Sequence, residues 1–277
     1  MLRELAEYPN SFVELTEGSE RIETDRFTLC LSQRGATVQR QRFTERELGD
    51  VIDEVRGLLR DRGRTGSQWE IGSQATPAGL ADTLQARGFK RDDEPWALAL
   101  ALTEPSATLR GPGGDGLRAA QVVTAEDYVA ACAVQDIAFG TPPEQVAAQR
   151  QTRLREFEAI NRSRGERSWA EMAQMLHAVW AGERIVCAGT CSRTRLGLAL
   201  FGGATLPEFR GRGAYRALIA HRWRVAAGDS PDRPALVTQA GAMSRPILAA
   251  LGFVSVGRVE MLVDDFAEPL TPGGCPG

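Results

Sequence analysis

Hydrophobic residues recur at helical spacing in several parts of the chain. Residues 124–139, TAEDYVAACAVQDIAF, begin with a threonine suited to capping and two acids, and apolar positions follow on one face. Residues 145–160, QVAAQRQTRLREFEAI, predict a second, more polar helix. A third helix is predicted to begin within the stretch at 207–222 and to end near Ala227. A fourth is predicted from Ser244-Arg245-Pro246 to Gly252, because serine caps helices and proline fits the first turn.

Short apolar runs between turn residues predict strands. The runs are HAVWAG (177–182), RIVCAGTCS (184–192), LGLALFGGATL (196–206), PALVTQA (234–240) and VSVGRVEMLV (254–263). The first two flank a turn at Gly182-Glu183 and predict a β-hairpin. The order of helices, three strands, helix, strand, helix, strand predicts an α/β fold with a mixed sheet.

The first part of the chain repeats the end of this order. It predicts a helix over 45–63, a strand over 67–72, a helix over 76–89 and a strand over 96–103. LQARGF at 84–89 resembles LAALGF at 248–253, and each lies before a strand. We infer a degenerate internal repeat, which has no glycine-rich turn ahead of its helix.

A segment rich in Pro, Gly and small polar residues, TEPSATLRGPGGDG at 103–116, separates the two parts. The predicted organisation is an N-terminal domain over 1–105, a linker over 106–116, a C-terminal domain over 117–268 and a flexible tail over 269–277.

Composition excludes several classes of function. The net charge of −3 gives no global basic field for nucleic acid or an anionic membrane. The N-terminus shows no signal-peptide pattern, and the apolar run at 196–206 is too short to span a bilayer. The spacing of the five cysteines shows no pattern typical of a set of paired disulfides. Cys187 and Cys191 share a strand face, but with only two histidines in the chain we expect reduced thiols and no metal. We therefore expect a soluble, cytoplasmic protein.

Residues 207–222, PEFRGRGAYRALIAHR, concentrate glycine and arginine at the mouth of a predicted helix. A helix N-terminus exposes N–H groups and a partial positive charge, and glycines let the backbone approach a ligand. Arginines add charge and forked donors. The stretch therefore predicts an anion cradle suited to a pyrophosphate.

Arg210-Gly211-Arg212-Gly213-Ala214 resembles the acyl-CoA pyrophosphate loop of the GNAT superfamily of N-acyltransferases, with the pattern Gln/Arg-x-x-Gly-x-Gly/Ala. Tyr215 departs from the small residue usual at its sixth position. The order of elements over about 118–265 also matches. The resemblance implies an α/β (α+β) fold with a mixed, mostly antiparallel twisted sheet flanked by helices. A smaller, truncated GNAT-like domain would precede it.

The resemblance implies that acetyl-CoA, the expected acyl donor, lies where the 198–206 and 235–239 strands splay apart. Its pyrophosphate would meet the N–H groups of residues 211–215, and its pantetheine arm would pair with the backbone near Thr205 and Leu206. The amine of a small molecule or peptide would attack the thioester directly in a ternary complex. The N-terminal domain would complete the sheet, wall the acceptor site or mediate homodimer formation.

The catalytic groups are less defined. The general-acid tyrosine common in GNAT enzymes falls at Leu248, and Glu208 is expected to cap or orient the loop. Three candidates remain. Tyr215 either packs against the sheet or reaches the thioester sulfur; Ser244 either caps its helix or approaches the CoA sulfur; His177 could act as a base.

His221 is expected to face solvent. Asp136, Phe139 and Tyr128 lie on a helix that lines the acceptor site in the family. Because Leu248 replaces the usual tyrosine, a non-catalytic module that binds or senses acyl-CoA is the alternative function.

Overall fold

The computed structural model describes residues 1–32, 35–110, 114, 116–232 and 234–266. The predicted tail at 269–277 lies outside the described residues, as does part of the predicted linker. The helices are α1 (Leu2–Glu7), α2 (Leu48–Arg60), α3 (Leu80–Ala86), α4 (Ala107–Arg110), α5 (Ala125–Ala138), α6 (Pro143–Ala148), α7 (Arg150–Arg164), α8 (Ala214–Asp229) and α9 (Arg245–Ala250). The strands are β1 (Glu20–Glu23), β2 (Thr28–Ser32), β3 (Gly35–Gln39), β4 (Gly66–Ile71), β5 (Lys90–Leu102), β6 (Leu117–Gln121), β7 (Gln174–Ala181), β8 (Arg184–Thr194), β9 (Gly197–Thr205), β10 (Ala235–Ala240) and β11 (Val254–Asp265).

The chain forms two compact units, each built from two segments. The large unit comprises Met1–Glu17 and Leu98–Gly257, and the small unit comprises Gly18–Ala97 and the described residues from Arg258 onward. The segment 106–116, predicted as a linker, lies within the large unit and contains α4.

In the large unit the strand order is β5-β10-β9-β8-β7-β6. The β5–β10, β9–β8, β8–β7 and β7–β6 pairs are antiparallel, whereas β10 and β9 run parallel. The turn of the predicted β7–β8 hairpin contains Gly182 at a φ of 61°.

Helices α5 and α8 cover opposite faces of this sheet. Neighbouring β8 residues point in opposite directions, as successive residues of a strand do. Ala188 packs with Ala131 and Val134 of α5, whereas Cys187 packs with Ala214 and Leu218 of α8. A side chain from α5 and one from α8 can therefore reach the same stretch of β9 from its two sides.

The small unit has the strand order β1-β2-β3-β4-β11. Neighbours are antiparallel except β3 and β4, which are parallel and are separated in sequence by α2. Val51, Val55 and Leu59 of α2 recur at a spacing of four and pack with Trp69 of β4. The order of three strands, helix, parallel strand and helix occurs in both units, which confirms the inferred repeat.

The elements predicted from the pattern were incomplete in two respects. The helix predicted at 145–160 is divided at Gln149 into α6 and α7. Strand β6 and the elements before residue 44 had no counterpart among the predicted elements.

Among the described residues, no helix is long and apolar enough to cross a membrane.

Candidate functional site

The parallel strands β9 and β10 separate soon after they meet. Within the described chain their pairing is confined to Gly197–Ala199 against Ala235–Val237. Thr238 Oγ1 makes one further contact, donating to the Leu200 carbonyl at 3.1 Å. Beyond it, the β10-facing edge of β9 has no partner strand among the described residues, so the predicted splay is present in the structure.

A β-bulge lies on β9 where the splay opens. Ala188 pairs with Ala204 and Thr190 pairs with Phe201, so Gly189 faces both Gly202 and Gly203. Gly202 has a φ of 56°, in the left-handed region that favours glycine. A bulge re-aims backbone groups, and both of its glycines are exposed.

Two side chains hold the bulge from opposite faces. From α5, Gln135 Nε2 donates to the Gly202 carbonyl at 2.7 Å. From α8, the Tyr215 ring lies on Gly203: a Cβ there would be 2.8 Å from Tyr215 Cε2 and 3.2 Å from its Oη. Glycine at 203 is thus required for Tyr215 to reach the backbone.

The loop between β9 and α8 presents donors without acceptors. Gly211 and Gly213 have φ values of 75° and 82°, and α8 begins at Ala214 without a side-chain cap from the described chain. The first hydrogen bond at the start of α8 is Ala217 N–H to Gly213 O, at 2.9 Å. Among the described residues, the N–H groups from Gly211 to Arg216 have no hydrogen-bond acceptor. This is the geometry of an anion site at a helix N-terminus.

The loop's charged residues are oriented by one another. Glu208 accepts a hydrogen bond from Arg184 at 2.7 Å, and Arg184 and Arg212 both lie over the Phe209 ring, at 5.4 and 5.3 Å. The backbone N–H of Glu208 and the Arg184 side chain lower the pKa of that carboxyl. Glu208 is therefore an anion paired with Arg184, and Arg210 and Arg212 are exposed.

The predicted backbone contact at Leu206 needs correction. Leu206 N–H donates to Val186 O and Leu206 O accepts from Phe209 N–H, both at 2.9 Å, so the backbone of Leu206 is engaged within the protein. Thr205 Oγ1 donates to Cys187 Sγ at 3.2 Å. The exposed backbone at the splay is instead that of Gly202 and Gly203. The Gly-Gly pair within a predicted strand was the signal that could have indicated it.

Of the weak catalytic candidates, the structure brings only Tyr215 to the bulge. Ser244 is the N-cap residue of α9, as predicted, but its side chain makes no capping hydrogen bond to the described residues. Leu248 is fully buried among apolar residues. The Tyr215 hydroxyl has no hydrogen-bond partner in the part of the chain that the structure describes. Burial raises the pKa of Tyr215, an effect that Arg222 partly offsets.

His177 is buried on the α8 face of the sheet. Burial lowers the pKa of His177 to about 2, with Arg222 and His221 adding to the effect. Its Nδ1 lies 3.6 Å from Cys191 Sγ, and its ring meets that of His221 edge-on at 4.7 Å. The expectation that His221 faces solvent was wrong, because its ring packs against His177 and its Nε2 is buried.

A polar cluster lies beside Gln135, between α5 and α7. Arg153 contacts Asp136 at 3.3 Å and Glu156 at 3.0 Å, and Tyr128 donates to Glu156 at 3.4 Å. The aromatic residues Tyr128, Phe157 and Trp169 form a continuous series, with ring centroids 5.6 and 5.3 Å apart. No group of three or more metal-ligating side chains occurs in the described residues.

The small unit fills the equivalent places with its own side chains. Strands β3 and β4 pair only at Thr37–Val38 and Gln68–Trp69 in the described chain. Beyond that, Gln41 Nε2 bridges the two strands by donating to Val38 O at 3.0 Å and Glu70 O at 3.1 Å, and Gln39 donates to the Glu70 carboxylate.

A capping box lies in the short helical turn at 45–47, just before α2 of the small unit. Glu47 accepts hydrogen bonds from the N–H and hydroxyl of Thr44, both at 2.7 Å, in a capping box. The bonds to Thr44 lower the pKa of Glu47. The gap between the parallel strands, which is open in the large unit, is therefore bridged by side chains in the small unit.

The same architecture occurs in solved structures. A GCN5-related N-acetyltransferase from Kribbella flavida superposes with a TM-score of 0.67 at 16% identity, covering 99% of this chain and 96% of that one. A tandem GNAT protein from the clavulanic acid biosynthesis pathway gives 0.60 at 15%, covering 95% and 88%. The chain has the GNAT fold. A GCN5-related N-acetyltransferase from Sphaerobacter thermophilus gives 0.59 at 16%, covering 87% and 81%. No family model and no curated protein matches the sequence.

Proposed function

We propose that the chain is a GNAT-type N-acyltransferase that uses acyl-CoA, with acetyl-CoA as the expected donor, and acylates the amine of a small molecule or peptide. The observation that carries the proposal is the set of N–H groups from Gly211 to Arg216 that lack an acceptor in the described chain, next to the splay of β9 and β10. The GNAT fold also supports this chemistry, because the similar structures include proteins described as N-acetyltransferases.

The residues present fit the donor. The start of α8 has no capping side chain from the described residues, so a pyrophosphate would meet N–H groups there together with Arg210 and Arg212. The exposed backbone of Gly202 and Gly203 would orient the thioester end. Acyl-CoA supplies an activated acyl group, which passes to the amine nitrogen while CoA leaves as a thiolate that must gain a proton.

Tyr215 is the group best placed to supply that proton. Its raised pKa keeps the hydroxyl protonated at neutral pH, and the hydroxyl lies at the bulge with no partner among the described residues. The nitrogen that forms the new bond loses one proton to solvent, and Tyr215 recovers one from solvent, so protons balance over the cycle.

The acceptor would approach from the α5 face. On the α8 face the bulge is covered by Tyr215, whereas on the α5 side it is held by Gln135. The cluster of Asp136, Arg153 and Glu156 lies between α5 and α7. This cluster holds two carboxylates against one guanidinium, which favours an amine acceptor over an acid.

A non-catalytic acyl-CoA-binding or sensing module is the second candidate. It is favoured by Leu248, which lies buried where GNAT enzymes commonly place a tyrosine. Release of CoA on addition of a panel of amines supports the enzyme, and tight acetyl-CoA binding with no release across the panel supports the module.

The test of donor binding is the thermal unfolding of wild type, Gly213→Glu and Gly213→Ala with and without acetyl-CoA. Both variants carry the strain of a side chain at positive φ, but only Gly213→Glu adds a carboxylate to the cradle. At ~100 times its dissociation constant, acetyl-CoA should stabilise wild type by about 2.7 kcal/mol, a shift of roughly 2–4 °C. A shift that is retained in Gly213→Ala and lost in Gly213→Glu is expected. Equal shifts in all three proteins would contradict the proposal.

A further inference from the structure

Arg222 of α8 is fully buried, and no carboxylate of the described chain pairs with it. Its Nη2 donates to the Thr190 carbonyl at 3.2 Å, and its Nε has no hydrogen-bond partner among the described residues. A charge removed from water without a counter-charge is strongly destabilising. Its retention at the centre of the large unit therefore calls for a compensating group.

The guanidinium lies directly behind the β9 bulge. A Cβ on Gly189 would be 2.7 Å from Arg222 Nη2 and 2.9 Å from the Gly203 Cα. Gly189 is the β8 residue that faces Gly202 and Gly203 across the bulge. Glycine at 189 thus lets the positive charge approach the backbone that the proposed function assigns to the thioester.

The neighbouring groups supply no negative charge at neutral pH. The titratable residues that face Arg222 are His177 of β7, Cys187 and Cys191 of β8, and Tyr215 and His221 of α8. Burial raises the pKa of each of the two thiols to about 11 and lowers those of His177 and His221 to about 2 and about 4. Asp229, at the end of α8, is paired with Arg193 at 2.8 Å.

We propose that Arg222 is a positioning residue whose buried positive charge stabilises negative charge at the β9 bulge, where the CoA thiolate forms. The inference rests on the proposed acyl-CoA site. It explains why a cation without a counter-ion is retained there: the negative charge arrives with the leaving group. In a partly desolvated site, one charge a few ångströms away should shift the ionisation of a thiol by about one unit of pKa or more.

The test measures the ionisation of the CoA thiol in its complex with the protein. The ultraviolet absorbance of the thiolate is titrated against pH, and the complex with desulfo-CoA is subtracted to remove protein ionisation. In wild type the bound thiol should have a pKa about one unit or more below that of free CoA. A bound thiol with an unchanged or raised pKa would overturn the inference.

Variants then assign the effect to Arg222. Arg222→Met should bring the pKa of the bound thiol to that of free CoA or above it, whereas Arg222→Lys should keep it lowered. Affinity for desulfo-CoA should change less than about twofold in both, because it lacks the thiol. A thiol pKa in Arg222→Met equal to that of wild type would overturn the inference. If Arg222→Met does not fold, Arg222→Gln replaces it, because it removes the charge and keeps an N–H group as a donor.

The two proposals fail in distinguishable ways. Wild type that binds neither CoA nor desulfo-CoA refutes the proposed function, and the inference with it. Wild type that binds both with an ordinary thiol pKa refutes only the role of Arg222.

Discussion

Gln135 donates a 2.7 Å hydrogen bond to the carbonyl of Gly202, across the gap between α5 and the bulge on β9. Gln135 is buried, and Gly202 adopts a φ that few other residues tolerate. The bond fixes the orientation of the 202–203 peptide group, which lies at the splay of β9 and β10. A helix side chain thus determines the backbone geometry at the candidate site.

We expect Gln135→Leu to reduce turnover by about tenfold while leaving the affinity for acetyl-CoA unchanged. Loss of one hydrogen bond that positions a reacting group costs about 1.4 kcal/mol, and the loop that holds the pyrophosphate is not altered. The measurement is kcat and KM with an accepted amine, together with Kd by calorimetry. Gln145→Leu, at an exposed position of α6, is the matched control. Equal activity of the two variants would show that the bond has no role in positioning.

Gly203→Ala should destabilise the protein by about 1–3 kcal/mol, because the new methyl group would lie 2.8 Å from the Tyr215 ring. Gly228→Ala provides the contrast. Gly228 lies in α8 with open space where a Cβ would be added, so alanine should stabilise the helix by up to about 1 kcal/mol. Urea unfolding of both variants checks the pair. A neutral Gly203→Ala would mean that Tyr215 does not rest on this backbone in solution.

Local chemistry made the loop and several elements predictable. The conformational freedom of Gly211 and Gly213 and the apolar spacing of α5 depend only on residues close in sequence. The pattern alone therefore indicated the glycine-rich loop and the helix. The β7–β8 hairpin followed from its turn. These features need no knowledge of which strands pair.

The rest depended on contacts between distant residues. The bulge arises from the register of β8 against β9, and the donor to it, Gln135, comes from a helix more than sixty residues earlier. His221 was expected to face solvent. The spacing of residues along its helix does not show that the ring of His177, on a different element, packs against it. Strands of the small unit such as β1 and β3 are too short to show a clear alternation of apolar and polar residues, so the sequence pattern did not predict them.

One acetyl-CoA should bind per chain. The small unit bridges its parallel strands with Gln41, so in the described chain the open splay between parallel strands belongs to the large unit. Isothermal calorimetry should give a stoichiometry of one for wild type. Gly213→Glu should remove all binding, and residual binding in that variant would place a second site in the small unit.

Tyr215→Phe should lower turnover by about 100-fold at unchanged affinity for acetyl-CoA, as expected when a general acid is lost. The ring stays in place against Gly203, so stability should change little. Tyr8→Phe, which removes the hydroxyl of another buried tyrosine, is the control. A fully active Tyr215→Phe would limit this residue to packing, and the proton would then come from solvent.

Stability should fall as the pH drops below 6.5, the ordinary pKa of histidine, and His177 should account for much of the slope. Burial holds the pKa of His177 at about 2 in the folded protein, against 6.5 when the side chain is in water. Below pH 6.5 the unfolded chain therefore binds a proton that the folded chain does not. The contribution is complete above pH 6.5 and is lost as the pH falls toward 2. The slope approaches about 1.4 kcal/mol per pH unit for one histidine.

The measurement is urea unfolding of wild type and His177→Gln between about pH 7 and pH 5, a range in which ordinary carboxylates stay ionised. The variant should show the flatter dependence whatever its absolute stability, because the slope counts protons rather than contacts. Parallel slopes in the two proteins would mean that His177 titrates alike in the folded and unfolded chains. Its ring could not then be sealed between Cys191 and His221, as it is in the structure.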